Sequence, residues 1–295
     1  MRMNAQLKII LSMFIFGTIG IFRRYIPLPS SLVAMVRGVV GALFLLAVMA
    51  LRRQKLDFSA IRRALPKLLL SSACLGFNWI LLFEAYNYTT VATATLCYYF
   101  APMFIILVSP LLLKERITAR KLICVLVALV GMVFVSGVLD AGINSIAELR
   151  GVLLGLAAAV LYASVVLINK KTVGIPANDR TVMQLGISAI ILLPYVLLTE
   201  NLGQIELGAG GGMLLVLGML LLVGILHTGV AYYLYFGAIT TVKAQTAAIL
   251  SYIDPVIAIL LSALLLGEPM TLLGGIGAVL VLGSAIVSEL PEKQK

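Results

Sequence analysis

Three side chains that carry or can gain a charge lie well inside long apolar runs of the sequence, away from the ends, where a charge needs compensation. Asp254 directly precedes Pro255, and a carboxylate in the middle of a bilayer-spanning run costs on the order of 3 kcal/mol. It is a candidate for proton coupling or for pairing with an amine; the alternative is that it caps the helix beginning at the proline. His227, the only histidine, is the second proton-coupling candidate because imidazole titrates nearest to neutral pH, with a neutral packing role as its alternative. Arg37 could bind a carboxylate bidentately or extend to an interface.

Aromatic and amide side chains in the same runs could line a polar cavity. Tyr98 and Tyr99 shortly precede Pro102, and tyrosine hydroxyls at that depth need hydrogen-bond partners. Because proline removes a backbone donor, Pro102 and Pro255 predict breaks in two helices, and these breaks either form a binding site or only shape packing. Further candidates for binding a small molecule are Asn78, Trp79, Gln184 and Tyr252. The two amides could equally hold helices together.

Sequence motifs of enzymes and ATP-driven pumps are absent. The chain has no GxxxxGK[ST] loop, no HExxH and no cluster of aspartates suited to magnesium. Cys74, Cys97 and Cys124 all lie in apolar runs without the spacing of a disulfide or metal site. We therefore expect no enzymatic activity, no cofactor and no metal, with a membrane-embedded lipid-modifying enzyme as the weaker alternative.

The composition is that of an integral membrane protein. Of 295 residues, 62% are hydrophobic and 12% charged, and the mean hydropathy is +1.12. A membrane-spanning helix needs about 20 apolar residues, so the chain accommodates ten spans and no soluble domain. The predicted spans cover residues 5–22, 31–51, 66–84, 91–113, 119–138, 151–169, 181–199, 213–236, 244–266 and 271–289.

The distribution of basic residues predicts the orientation of these spans. The chain has 22 Lys and Arg against 12 Asp and Glu. If the spans alternate in direction, the side opposite the termini holds only Arg23, Arg24 and Arg150. Arg37 lies within a span. Every other basic residue falls on the side of the termini. Positive charge marks the cytoplasmic side during insertion, so both termini are predicted to be cytoplasmic in the inner membrane. The charge therefore does not indicate a nucleic-acid partner.

The chain contains an internal repeat. Residues 85–123 match residues 238–276 without a gap, for instance at Tyr99/Tyr252, Pro102/Pro255 and Glu115/Glu268, and Phe16-Gly17 matches Tyr162-Ala163. Each repeat contains five predicted spans, residues 1–145 and 146–295, and an odd number inverts the second copy relative to the first. The expected fold is an all-α membrane protein of two inverted five-helix repeats. We interpret the two glutamates as capping or loop-locking residues.

The repeated segment also resembles a known family. The stretch from Ala85 through Pro102 to Glu115, and its echo from Ala238 through Pro255 to Glu268, resembles the EamA family of the drug/metabolite transporter superfamily. The resemblance covers both halves and implies a ten-helix carrier, with amino acids or related metabolites as common exported substrates. Phe16-Gly17 replaces the tryptophan-glycine pair common in the first helix of that family.

Together these observations predict a secondary transporter, expected to be an exporter, of amino acids or related zwitterions that works by alternating access. Other small solutes such as organic cations, drugs or nucleobases are the alternative substrates. The expected partners are a small-molecule substrate, the lipid bilayer and, as a candidate coupled ion, the proton. The sequence leaves open whether the protein is a monomer or a homodimer.

Overall fold

The fold is all-α in the part of the chain that the computed structural model describes: residues 4–23, 25–89, 91–136, 146–204, 211–266 and 272–290. Thirteen α-helices form in these residues. They are α1 Ala5–Arg23, α2 Ser30–Leu51, α3 Phe58–Tyr88, α4 Val91–Tyr98, α5 Ala101–Leu113, α6 Ala119–Ser136, α7 Ile146–Lys171, α8 Ala177–Thr199, α9 Gly211–Leu222, α10 Ala231–Ile239, α11 Ala244–Leu250, α12 Ile253–Leu266 and α13 Leu272–Glu289.

These helices supply the ten predicted spans. Seven helical stretches of the described chain are long and apolar enough to cross a membrane, and Leu272–Ser288 is a shorter apolar helix. The helices α4 and α5 share one predicted span, and α11 and α12 share another. The helices α9 and α10 are joined by a π-helical segment, Val223–Val230, into one continuous span. The protein is therefore a multi-pass membrane protein.

Some helices extend beyond the apolar run that predicted them. The helix α3 begins at Phe58, whereas the predicted span begins at residue 66. The Asp57 side chain accepts a hydrogen bond from the Ala60 amide at 2.9 Å and caps the first turn. Hydropathy marks the part of a helix suited to lipid, so a capped polar extension such as this one falls outside the prediction.

The mid-helix breaks predicted from the prolines are present. The first broken span is interrupted at Tyr99–Phe100, and Pro102 is the second residue of α5. The second is interrupted at Ser251–Tyr252, and Pro255 is the third residue of α12. Proline is favoured in the first turn of a helix because that turn has no use for the missing amide. Each proline therefore starts the second part of a broken span.

Helix contacts show that the two halves are inverted. Gln184 donates to Ser71 at 3.0 Å, and Ser188 donates to the Ser72 carbonyl at 3.0 Å. Contacts between α3 and α8 thus run in the same order along both helices, which makes the helices parallel. The helix α3 is the third span of the first half, whereas α8 is the second span of the second half. If both halves had the same orientation, α3 and α8 would run antiparallel.

The packing also follows a pseudo-twofold axis. The first helix of one half packs on a broken span of the other half: α1 on α12, and α7 on α4 and α5. The fifth spans, α6 and α13, pack against each other, as do the second spans, α2 and α8. Pro29 and Pro176 precede α2 and α8 with similar backbone angles, φ −53° and ψ 141° against φ −55° and ψ 143°. The repeat seen in the sequence is therefore also a structural repeat.

Candidate functional site

The two broken spans meet at their interruptions. The Tyr99 hydroxyl, in the first break, donates to the Asp254 carboxylate at 3.2 Å. The Tyr252 hydroxyl, in the second break, donates to the Tyr99 carbonyl at 3.0 Å. Because helix breaks leave carbonyls without intrahelical partners, the second bond satisfies a group that the first break exposes. Tyr99 is thus fixed through its backbone while its side chain contacts the Asp254 carboxylate.

Asp254 lies in the first turn of α12 and remains accessible. It is the second residue of that helix, directly before Pro255, where the positive end of the helix dipole favours a carboxylate. Its side chain is half-buried. The helix α1 approaches closely at this level: a Cβ at Gly17 would lie 2.7 Å from the Asp254 carbonyl oxygen. A glycine on α1 is therefore what allows this helix to close one wall of the site.

Aromatic rings surround the breaks. Tyr98 packs on Tyr162 with ring centroids 5.5 Å apart, and both rings are half-buried. Tyr232 packs on Phe16 at 5.1 Å and on Trp79 at 6.5 Å. Of these rings, Phe16, Tyr98 and Tyr162 keep accessible surface in the middle of their spans, so they form an aromatic surface where the two halves meet.

A cation lies on a second wall of this region. The Arg37 guanidinium is positioned over the Trp79 ring, 5.1 Å from its centroid, within the range of a cation–π interaction. Arg37 is half-buried, whereas Trp79 is buried. Tyr232 packs on Trp79 and on Phe16, and Phe16 is the chain neighbour of Gly17, which lies against the Asp254 backbone. The structure thus places one positive and one negative side chain around a shared aromatic surface.

His227 lies in a different environment from Asp254. Its Nε2 is 2.8 Å from the Thr18 hydroxyl, and its ring packs on Phe22 with centroids 5.2 Å apart. The residue belongs to the π-helical segment, a type of irregularity frequent at functional sites. His227 contacts α1 at Thr18, whereas Asp254 contacts it at Gly17, and no direct contact joins these two candidates among the described residues.

Asn78 and Gln184 contact other helices. Asn78 is fully buried and donates to the Ala158 carbonyl on α7 at 2.6 Å. Gln184, also fully buried, accepts from Asn169 at 3.0 Å and donates to Ser71. Of the two roles that the sequence left open for these amides, the contacts support helix packing.

Tyr252 is also fully buried, and its hydroxyl donates to the Tyr99 carbonyl in the first break.

Sequence reasoning missed Tyr162 as a lining residue. In the sequence, the match of Phe16 with Tyr162 indicates only the repeat. The structure places both rings at the aromatic surface, Phe16 against Tyr232 and Tyr162 against Tyr98. Repeat-equivalent aromatic residues were the available signal, because a pseudo-twofold axis brings equivalent positions to the same aromatic surface.

The arrangement suits binding of a small polar molecule. Among the described residues, no group of three or more His, Cys, Asp and Glu side chains could hold a metal ion. The contacts available to a ligand are the Asp254 carboxylate, the Arg37 guanidinium, the tyrosine hydroxyls and the ring faces. These groups bind by charge, hydrogen bonding and stacking.

Comparison with known proteins agrees with this architecture. The EamA-like transporter family matches residues 3–137 and 149–289. The chain is 28% identical over 286 residues to the uncharacterized transporter YxxF of Bacillus subtilis, covering 95% of this chain and 88% of that protein. It is 24% identical over 264 residues to protein RarD of Salmonella typhi, covering 86% and 84%.

A solved crystal structure has the same fold. It superimposes with a TM-score of 0.85 over 97% of this chain and 96% of that one, at 21% sequence identity. The family match covers both halves of the chain, in agreement with the duplicated helices and the paired breaks. The chain therefore belongs to the EamA-like transporter family and is a multi-pass membrane transporter of small molecules.

Proposed function

We propose that this protein is a secondary carrier that exports small zwitterionic metabolites, amino acids first among them, by alternating access. The observation that carries the proposal is the placement of opposite charges on one aromatic-lined region. Asp254 lies where the broken spans meet, and Arg37 lies over Trp79. The Trp79 ring packs on Tyr232, which packs on Phe16 next to the α1 glycine that lies against the Asp254 backbone.

Each charge of a zwitterion would have a partner in this region. The substrate amine pairs with the Asp254 carboxylate, which Tyr99 orients through a hydrogen bond. The substrate carboxylate pairs with Arg37, whose planar guanidinium can donate two parallel hydrogen bonds. The rings of Tyr98, Tyr162 and Tyr232 then contact the rest of the molecule, and their apolar faces tolerate different side chains.

Alternating access is supported by the inverted halves and by the broken spans. Two equivalent halves can exchange roles as a central site opens first to one side and then to the other. The sequence has no ATPase motif, so the energy comes from a gradient, with Asp254 as the candidate proton-coupling residue. The asymmetry of basic charge supports cytoplasmic termini and a location in the inner membrane.

A second candidate substrate is an organic cation. Asp254 accepts a hydrogen bond from Tyr99, whose ring packs on Tyr98 and through it on Tyr162, and the faces of such rings attract cations. A cation would need Asp254 but would not need Arg37. The effect of removing the Arg37 charge therefore distinguishes the two substrate classes.

The test is flux through purified protein in proteoliposomes. Efflux of labelled amino acids and of an organic cation would be measured with and without a pH gradient, in the wild type, Asp254→Asn, Arg37→Gln and His227→Gln. Because each substitution leaves a desolvated charge unpaired, we expect Asp254→Asn and Arg37→Gln each to lower amino-acid flux by about 30-fold or more. Asp254→Asn should also remove the gradient dependence, whereas His227→Gln should preserve it.

Different results would contradict different parts of the proposal. Amino-acid flux that survives Arg37→Gln at the wild-type level would remove the zwitterion assignment. If the organic cation is transported and only Asp254→Asn abolishes its flux, the second candidate is correct. A gradient effect that persists in Asp254→Asn would exclude this residue as the coupling site.

A further inference from the structure

Glu115 forms a half-buried connection between the two halves. It lies in the connector after α5, and its two carboxylate oxygens each accept from the Ala244 amide at 3.0 Å. It also pairs with Lys170 at 3.3 Å, and the two side chains are only 12% and 14% exposed. The capping role predicted from the sequence is confirmed, although the capped helix is α11 of the other half. Glu268, the repeat counterpart of Glu115, lies outside the described residues.

Lys170 extends this connection. It is near the carboxyl end of α7, and its ammonium also donates to the Val242 carbonyl in the connector before α11. The three groups therefore join the end of a first-half helix, the end of α7 and the start of α11. We call Glu115, Lys170 and the Ala244 amide the basic-end latch, because the neighbouring connectors hold most of the basic residues.

The packing beside the latch closes this end of the molecule. Every residue of α11 is buried. Gln245 donates to the Ser109 hydroxyl on α5 at 3.3 Å and to the Arg116 carbonyl at 3.2 Å. Lys121 donates to Thr246 at 3.1 Å. The parts of the two broken spans that face the basic end, α5 and α11, are thus held together.

The other two parts of the broken spans have different neighbours. The helix α4 packs on α3, α6 and α7, whereas α12 packs on α1 and α13. A pseudo-twofold exchange of the halves would convert the α5–α11 contact into an α4–α12 contact. Among the described residues, the two broken spans therefore pack on each other through α5 and α11, at the basic end.

We propose that the basic-end latch holds the carrier closed at this end and must break before the central site can open there. The inference rests on the proposed alternating access. A carboxylate that joins an ammonium and a helix-terminal amide forms strong, directional bonds. Since the bonds of Glu115 to Ala244 and to Lys170 both cross between the halves, movement of one half against the other at this end has to break them together.

The latch can be tested by the accessibility of α11 in a variant without Cys74, Cys97 and Cys124. Ala248, which is fully buried, would be replaced by cysteine as a reporter, and its rate of reaction with a polar maleimide would be measured in detergent. We expect Glu115→Gln and Lys170→Gln each to accelerate labelling by about tenfold or more, the effect of losing one charge-assisted hydrogen bond.

Glu84→Gln is the matched control. Glu84 also joins the two halves, because its carboxylate accepts a hydrogen bond from the Tyr195 hydroxyl at 2.6 Å. It lies near the carboxyl end of α3, away from the latch. Its loss should therefore leave the labelling of α11 unchanged. Each variant would be checked for a single symmetric peak in size-exclusion chromatography. Unchanged labelling in both latch variants, or equal acceleration in the Glu84 control, would overturn the latch.

This measurement does not depend on a known substrate. If no flux is found but the latch variants expose α11, the latch holds and the proposed function fails. If flux is found but the latch variants leave α11 protected, the proposed function holds and the latch fails.

Discussion

The two broken spans have the same backbone design but carry different charges. Tyr99 and Tyr252 are equivalent in the repeat, as are Pro102 and Pro255, and both spans break directly before the first turn that contains the proline. The position equivalent to Asp254 is Ala101. Duplication has thus preserved the break in both halves, while the carboxylate is present in only one.

The same difference recurs around the site. Trp79 is equivalent to Tyr232 at the offset that relates the breaks, and the two rings contact each other. The sequence offset that relates Pro29 to Pro176 also relates Arg37 to Gln184. Gln184 takes part in helix packing through its hydrogen bond to Ser71. The aromatic lining follows the pseudo-twofold axis, whereas the charges do not. A symmetric lining can serve both open states, and single charges give a bound molecule one orientation.

The largest expected effect comes from moving the carboxylate to the other break. Asp254→Ala should lower substrate flux by about 30-fold or more, because a desolvated charge partner is lost. Adding Ala101→Asp should not restore flux, since Gln184 replaces the cation at the equivalent position. Proteoliposome flux in the single and double variants measures this. Recovery to the wild-type rate would show that the position of the charge is immaterial.

A smaller effect is expected from removing the equivalent hydroxyls. Tyr99→Phe should lower flux by about tenfold by removing a hydrogen bond to a charged group, with little loss of stability. Tyr252→Phe should instead lower the free energy of unfolding by about 1 kcal/mol, because the Tyr99 carbonyl loses its partner. Flux and thermal unfolding of both variants distinguish these roles. Identical profiles would mean that the two tyrosines have the same function.

The smallest expected effect concerns the helix that closes the site. Gly17 is equivalent to Ala163, so Gly17→Ala makes the two halves alike at this position. The added Cβ would crowd the Asp254 carbonyl oxygen and Ile257, and we expect a loss of about 1 kcal/mol in stability. Gly20→Ala is the control, since a Cβ there has nothing within 4 Å. Equal melting temperatures of the two variants would argue against the close approach.

Much of the fold could be predicted from local sequence signals. Apolar runs located the spans, and two prolines located both breaks, because hydropathy and a missing amide act within one helix. The exact ends were less predictable. The cap at Asp57 extends α3 beyond its apolar run, and the π-helical segment around His227 gave no local signal.

The candidate site was only partly predictable. Tyr99, Arg37 and Asp254 were identified because polar groups in apolar runs need partners. Their partners were not: the hydrogen bond between Tyr99 and Asp254 joins residues 155 positions apart. Asn78 and Gln184 had the same type of signal, yet their helices turn them toward other helices.

The sequence alone determined that this chain is a duplicated membrane protein with a break in the middle of two equivalent spans. Those properties depend on composition, repeat register and proline, and each acts over a few turns of helix. Only the tertiary structure decided which polar residues face the shared aromatic surface and which hold helices together. That choice depends on the rotation and contact of helices far apart in the chain, which helix-forming patterns do not specify.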